Sequence, residues 1–397
     1  MSSKLVVAGV GMIPFKKPGT SAGYGEMGAE AIRLALADAG MPYDLIQQAY
    51  AGYVYGDSTC GQAALYRIGA TGIPVLNVNN NCASGSSALF LARQAVESGA
   101  VECALAFGFE EMQPGALASR WSDREGALAK FSAIAEPMVS DAVEAGVPRA
   151  LTLFGGAGRE HMQKYGTKFE TFAKVRAKAS RHAEHNELAI FRKVLTTQDV
   201  VNDVQVWPNV LTRLMACPPT CGAAAAIICT EAFAKKHNLR TDVRIFAQAM
   251  TTDVPSSFEP ASMIRLVGFD MARKAAQAVY EASGVSPEDV DVCELHDCFA
   301  QNELLTYESL GFCPEGGGEK FVDDGDNTYG GQVVTNPSGG LLSKGHPLGA
   351  TGLAQCYELT NQLRGSTGKR QVEGARIALQ HNLGLGGACV VTMFGRG

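Results

Sequence analysis

Apolar runs and helically spaced apolar positions alternate along the chain. Lys4-Leu-Val-Val-Ala-Gly reads as a buried strand, and Met27 to Ala39 follows with apolar residues at helical spacing. Gly40 closes that helix at the position where a left-handed turn is favoured. The succession recurs later: Val243-Arg-Ile-Phe-Ala-Gln-Ala-Met predicts a strand, and Met271 to Ser283 a helix ended by Gly284. The longest wholly apolar run, Ala223 to Cys229, predicts a buried strand and falls far short of the roughly 20 residues of a membrane-spanning helix, so no membrane insertion is expected. The pattern is that of an α/β protein.

The two β-then-α stretches align without gaps. Laying Glu26–Gly52 over Asp270–His296 matches Met27 with Met271, Ala31 with Ala275 and Gly40 with Gly284. A second pairing sets Cys82-Ala-Ser-Gly-Ser-Ser-Ala-Leu over His346-Pro-Leu-Gly-Ala-Thr-Gly-Leu, matching Gly85 with Gly349 and Leu89 with Leu353. Chance likeness between α/β units is the competing explanation. Duplication is favoured because each half places its most reactive residue at the same spot. Between the halves, Gln113 to Met215 carries charge clusters including Lys174, Arg176, Lys178, Arg181, Arg192 and Lys193, and reads as an inserted loop domain. The expected organisation is residues 1–112 plus 216–240 as the N-terminal half, 113–215 as the loop domain and 241–397 as the C-terminal half.

With 397 residues, two to three units are expected. Hydrophobic residues at 46%, charged residues at 19% and a formal charge of −6 argue against disorder and against nucleic-acid binding. Met1-Ser-Ser-Lys-Leu-Val-Val lacks a secretory h-region, and Phe394-Gly-Arg-Gly397 is no peroxisomal tripeptide. The expected compartment is a bacterial cytoplasm, or the peroxisome if the chain is eukaryotic. Eleven cysteines, an odd count without framework spacing, favour a reducing environment and raise the question of which are chemically active.

Four segments could carry chemistry. Asn79-Asn-Asn-Cys82-Ala-Ser-Gly places a cysteine at a predicted helix start, where unpaired N–H groups and the helix dipole would stabilise a thiolate. Cys82 is the candidate nucleophile, with an inert buried cysteine as the alternative. Ser343-Lys-Gly-His346-Pro-Leu-Gly marks another helix start, with Pro347 at its first position. There the dipole disfavours an imidazolium, so His346 would be a neutral general base, or else merely a cap. Cys293-Glu-Leu-His296-Asp-Cys298 could be read as a metal site, but no second pair of ligands sits at matching spacing, and a donor beside a thiol suits acyl chemistry better. Gln380-His-Asn-Leu-Gly384-Leu-Gly-Gly reads as a glycine-rich loop whose N–H groups could form an oxyanion hole. Gly9-Val-Gly11-Met-Ile-Pro14 begins like a dinucleotide fingerprint, but proline stands in the third glycine's place.

Together these segments resemble the thiolase superfamily, and within it the sterol carrier protein 2 type. The resemblance runs from Val7-Ala-Gly-Val-Gly-Met to His381-Asn-Leu-Gly-Leu-Gly-Gly, through Gly56-Asp-Ser-Thr-Cys-Gly, Asn77-Val-Asn-Asn-Asn-Cys-Ala-Ser-Gly, Glu294-Leu-His-Asp-Cys-Phe, Asn327-Thr-Tyr-Gly-Gly and Gly345-His-Pro-Leu-Gly-Ala-Thr-Gly. It implies the thiolase fold: two duplicated mixed-sheet halves in a five-layer αβαβα arrangement with an inserted loop domain. It implies an acyltransferase that cleaves 3-oxoacyl-CoA with CoA as co-substrate, in fatty-acid or sterol side-chain breakdown. No permanently bound cofactor and no metal are expected, and the working unit would be a homodimer. Cys82 would carry the acyl group, His346 would activate it, and His296 would polarise the thioester oxygen. The ordinary family places a Cys-x-Gly motif where this chain reads His381-Asn-Leu-Gly384, so the acid would be Cys298; Gly384 and Cys82 would offer their N–H groups to the oxyanion. CoA phosphates would meet the basic stretch Lys174–Lys193, unless that stretch is a solvated helix face. A biosynthetic enzyme forming acetoacetyl-CoA and a non-catalytic acyl-CoA-binding subunit are the competing functions. Because the sequence ends soon after the last motif, no lipid-transfer domain is expected.

Overall fold

The computed structural model describes residues 4–113 and 121–397. The start Met1–Ser3, used above for the signal reading, and the first part of the expected loop domain lie outside the described residues. Twelve strands are found among those residues: β1 (Leu5–Met12), β2 (Gln48–Gly52), β3 (Val75–Val78), β4 (Cys103–Glu110), β5 (Gln205–Trp207), β6 (Leu211–Thr212), β7 (Gly222–Thr230), β8 (Val243–Thr251), β9 (Val292–Glu294), β10 (Val334–Thr335), β11 (Ile377–Gly384) and β12 (Ala388–Arg396). β5 and β6 form a small ribbon of their own, while the rest make one ten-stranded sheet in the order β10-β9-β11-β12-β8-β1-β7-β4-β2-β3.

That order is two copies of one pattern meeting back to back. From the centre outward the first half reads β1-β7-β4-β2-β3 and the second β8-β12-β11-β9-β10. In each, the inner two junctions are antiparallel and the outer two parallel. The halves join where Val6 lies opposite Arg244. The strands are near-continuous apolar runs because helices cover both faces. Helix Tyr24–Ala39 lies on β1 and β7, and helix Phe269–Ser283 on β8 and β12. Gly40 and Gly284 end these helices in the left-handed conformation, as the sequence pattern requires. Helices Ser84–Glu97 and Leu348–Arg364 pack on each other between the two half-sheets, completing five layers.

The central helices start at equivalent points of the repeat and touch there. A Cβ added to Gly85 would meet the Gly349 carbonyl oxygen at 2.6 Å, and one added to Gly349 would meet the carbonyl oxygens of Gly52 and Phe109 at 2.5 Å. Only glycine allows this approach of backbone to backbone. Glu110, at the end of β4, accepts from the N–H groups of Val54 (3.1 Å), Tyr55 (2.9 Å) and Gly349 (3.0 Å), tying the first half to the helix start of the second.

Helices Arg149–Tyr165 and Phe169–Ala183 lie over the C-terminal half: Leu153, Phe172 and Trp207 share one apolar core with Leu304, Val391 and Met393. Between them runs helix Ala300–Ser309, buried along its whole length. The basic stretch is not one exposed face. Arg176 is buried and donates to Ser343 Oγ at 2.7 Å, and Lys178 is buried on Glu303, Tyr307 and Thr335. Lys174 pairs with Asp323, leaving Arg181, Arg192 and Lys193 exposed. Helix Phe169–Ala183 turns Lys178 toward the buried Glu303 of helix Ala300–Ser309, which sequence reading, seeing only charge, could not distinguish from solvent or phosphate.

Gly349→Ala must displace backbone on three sides, so it should destabilise by at least the roughly 1–3 kcal/mol typical of overpacking. Gly126→Ala, in open space, is the control. Chemical-denaturation midpoints of the two variants measured side by side check this: equal midpoints would mean the helix contact is not tight.

Candidate active site

Cys82 sits in a polar turn between β3 and the helix beginning at Ser84. Asn81 takes a positive φ of 50°, reversing the chain. Ser84 Oγ accepts from Asn80 N–H at 2.9 Å and donates to the Asn81 carbonyl at 2.7 Å. Asn81 Nδ2 donates to the Leu385 carbonyl at 3.0 Å, fastening the turn to the β11–β12 hairpin of the other half. The helix-start expectation of a stabilised thiolate fails. Cys82 precedes the helix by two residues, and its thiol is pushed up to about 12, first by burial and then by the charge of Glu110, while its own N–H and that of Leu385 pull the other way. Desolvation and the charge of Glu110 both favour the protonated thiol, against the pull of the N–H groups.

His346 precedes the second central helix, Leu348–Arg364, with Pro347 as its cap rather than its first residue. Its backbone N–H donates to Thr220 Oγ1 at 3.1 Å. Its Nδ1 lies 2.7 Å from Thr351 Oγ1. With its one proton on the Pro347 carbonyl, 2.9 Å away, that hydroxyl accepts from His346. The ring is therefore the Nδ1–H tautomer with a bare Nε2 lone pair, which is buried without a partner. Burial holds its pKa down at about 3, so the neutral imidazole comes from desolvation and needs no dipole argument.

His296 lies just past β9 with the opposite tautomer. Asn382 Nδ2 donates to the Cys82 carbonyl at 3.2 Å and contacts His296 Nδ1 at 3.1 Å, so Nδ1 accepts and Nε2 carries the proton. Burial keeps this ring neutral too, its pKa well below the ordinary value. The His296 N–H points at His381 Nδ1 at 3.4 Å, and the His296 carbonyl accepts from Asn302 Nδ2. The His296 and His346 rings meet edge to face with centroids 5.0 Å apart. Cys82 Sγ and one ring nitrogen from each of His296 and His346 lie within 4.8 Å of one another. The arrangement supplies a thiol, a neutral base and a neutral donor around one point.

Cys298 is buried, and its thiol lies well above the ordinary range, from burial first and then the nearby Cys217 and Cys82 sulfurs. It therefore keeps its proton. The spacing Cys293-x-x-His296-x-Cys298 does not converge on a metal. Among the described residues the one group of three potential ligands is Cys82, His296 and His346, with neither Cys293 nor Cys298 in it. Gly384 ends β11 and abuts the Cys82 turn, where an added Cβ would meet Ala83 Cβ at 3.1 Å. The glycine-rich loop is shorter than its sequence suggests. Gln380 to Gly384 belong to β11, paired with β12, and only Leu385–Gly387 form the turn.

Four residues that the sequence reading did not single out position this site: Glu110, Thr220, Thr351 and Asn382. Thr351 lies five residues after His346, one helical turn on, and that spacing was a usable signal. Glu110 is remote in sequence and carried none, and Asn382 lay inside the segment read as a glycine-rich loop, where nothing set it apart.

Because no charged partner holds Cys82 as a thiolate, its alkylation by iodoacetamide should rise about tenfold per pH unit from pH 7 to 10. A plateau near neutrality would reveal a thiolate–imidazolium pair and contradict the burial argument.

The family model described as thiolase, N-terminal domain, matches residues 5–206, and that described as thiolase C-terminal domain-like matches residues 256–394. Sterol carrier protein 2 of Homo sapiens is 54% identical over 99% of this chain and 72% of its own length. Acetyl-CoA acetyltransferase of Methanothermobacter thermautotrophicus is 36% identical over 83% of this chain and 82% of its own length. A solved structure titled Ltp2-ChsH2(DUF35) aldolase superposes with a TM-score of 0.83 at 20% identity, covering 99% of this chain and 98% of that one, which speaks to fold alone. Among the described residues no helix is long and apolar enough to cross a membrane. The chain belongs to the thiolase family.

Proposed function

We propose that the protein cleaves 3-oxoacyl-CoA with CoA, giving acetyl-CoA or propionyl-CoA and a shortened acyl-CoA through an acyl group carried on Cys82. The observation that carries this reading is the bare, buried Nε2 of His346 in a cluster where a thiol and a second, proton-bearing imidazole lie within 4.8 Å.

In the proposed sequence His346 Nε2 takes the Cys82 proton as sulfur attacks the 3-keto carbon. The C2–C3 bond then breaks, leaving a thioester on Cys82 and an enolate on the departing CoA ester. His296 Nε2–H donates to the developing negative charge on the thioester oxygen, and Cys298, held protonated by burial, gives its proton to C2. The Cys298 thiolate takes the proton of the incoming CoA thiol, whose sulfur displaces Cys82 and restores the enzyme. The N–H groups of Cys82 and Gly384 are proposed for the tetrahedral oxyanion. Desolvation suits each assignment: neutral imidazoles can accept or donate without prior charge, and a thiol kept protonated is a competent acid for carbon. No step is assigned to a metal or a resident cofactor. The working unit is proposed to be a homodimer; β3 is the outer edge of the sheet, with Leu76 exposed.

Loss of the 3-oxoacyl-CoA enolate absorbance on adding CoA measures the reaction, and absence of turnover across a panel of chain lengths would sink the proposal. Cys82→Ala should abolish turnover, and His346→Ala should lower it by about 10²–10⁴-fold. Cys298→Ala should slow turnover while leaving the acyl-enzyme detectable by mass. The likeness to an acetyl-CoA acetyltransferase favours a second reading, condensation of two acetyl-CoA molecules. Exclusive use of acetyl-CoA, with longer chains rejected, would select it.

A further inference from the structure

Of eleven cysteines the proposed chemistry uses Cys82 and Cys298. Cys217 has no part in it, yet it stands beside both. Ala216 and Phe299 form an isolated antiparallel bridge. Both are extended, with φ −107° and ψ 144° at Ala216 and φ −137° and ψ 149° at Phe299. The Cys217 N–H donates to the Cys298 carbonyl at 2.9 Å. One step beyond the bridge on each segment, Cys217 and Cys298 are therefore directly opposite, and opposed residues of an antiparallel pair project to the same face.

Such pairs have Cα atoms about 5.5 Å apart and Cβ atoms about 4.5–5.5 Å apart. A disulfide spans Cα separations of about 4.4–6.8 Å and Cβ separations of about 3.5–4.5 Å. A pair in this register is thus compatible with a disulfide once the Cβ atoms draw together. The neighbouring segment is held still: Pro218 and Pro219 follow Cys217, and Pro219 bridges to His346. Both thiols are free, Cys217 half-buried and Cys298 buried. The electrostatics agree, since the Cys217 sulfur is the nearby charge that most raises the Cys298 thiol.

We propose that Cys217 and Cys298 form a reversible oxidation site, closed to a disulfide by peroxides. Cys217, the more accessible of the two, attacks a peroxide oxygen, giving a sulfenic acid and releasing the alcohol, or water when the oxidant is hydrogen peroxide. The Cys298 sulfur then attacks the sulfenic sulfur, its proton leaving with the displaced hydroxide as a second water. The thiols lose two electrons and the peroxide gains them. A dithiol reverses the change by exchange. The consequence for turnover rests on the assignment of Cys298 as the acid above; the pairing itself does not. Burial keeps both thiols protonated at neutral pH, so oxidation should be faster at about pH 9 than at about pH 7.

The test uses the reduced full-length protein, exposed to hydrogen peroxide, alkylated and digested without reductant. Peptide mass spectrometry should find a Cys217–Cys298 cross-link lighter by two hydrogens. Turnover should fall more than about tenfold in parallel and return with dithiothreitol, as expected of a bond that thiols reduce readily. Cys217→Ser should keep its basal turnover, give no cross-link, and lose activity to peroxide in a way dithiothreitol does not restore. Oxidised Cys82 with no cross-link, a Cys82–Cys298 or Cys82–Cys217 bond instead, or equal reversibility in Cys217→Ser would each overturn the proposal. If the protein proves inactive on every 3-oxoacyl-CoA, the cross-link and its reversal still report on this site alone.

Discussion

The site exists because two helix starts from different halves of the chain come close enough to touch. Gly85 faces the Gly349 carbonyl, and Gly349 itself is pressed onto the backbone of β2 and β4. The Glu110 carboxylate holds the Gly349 N–H together with those of Val54 and Tyr55. Cys82 stands two residues before one of these helices and His346 two residues before the other. Their meeting is thus a property of the helix pair. A side chain at either glycine would separate them, since interiors at this density do not absorb a methyl group against backbone on several sides.

Closing the helices together also shuts water out, and that sets the chemistry. The Cys82 thiol is pushed up to about 12, and the imidazole of His346 is held down at about 3. No ion pair waits in the resting site. Proton position is governed by tautomer, and tautomer by neutral hydrogen bonds: Thr351 accepts from His346, while Asn382 donates to His296. The two histidines therefore offer opposite faces to one point, a lone pair from the first and a proton from the second. Charge would arise only during reaction, when a buried donor is worth most.

Much of this was legible in the sequence. The offset that lays Met27 over Met271 is kept by the helices Tyr24–Ala39 and Phe269–Ser283, and the offset that lays Cys82 over His346 is kept by the starts Ser84 and Leu348. Local patterns report local structure, and a repeat reports it twice. What was not legible depends on burial. A dipole argument favoured the Cys82 thiolate, and desolvation, which no local pattern reports, outweighs it. Gln380-His-Asn looked like loop because a glycine-rich stretch follows it, yet its side chains are polar inside a strand, with Asn382 bonded to Cys82 and His296. Arg176 and Lys178 looked like surface because they are charged, yet they point toward Ser343 and Glu303.

The repeat also explains where the two halves have parted ways. β4 and β11 occupy the same place in their half-sheets, are of equal length, and end at Glu110 and Gly384. Their partners begin opposite those ends, Gly222 across from Glu110 and Ala388 across from Gly384. Each end reaches across to the helix start of the other half: Glu110 grips Gly349, and Gly384 lies against Ala83 beside Cys82. At one crossing the position holds a carboxylate that clamps, at the other a residue with no side chain. A carboxylate at Gly384 would crowd the Cys82 turn and add a second negative charge near a thiol already raised by Glu110. The glycine lets the end of β11 lie against the Asn80 carbonyl and Ala83, where there is no room for a side chain. The same framework thus yields a braced helix start beside His346 and a close backbone approach beside Cys82 by changing one residue at the end of an equivalent strand.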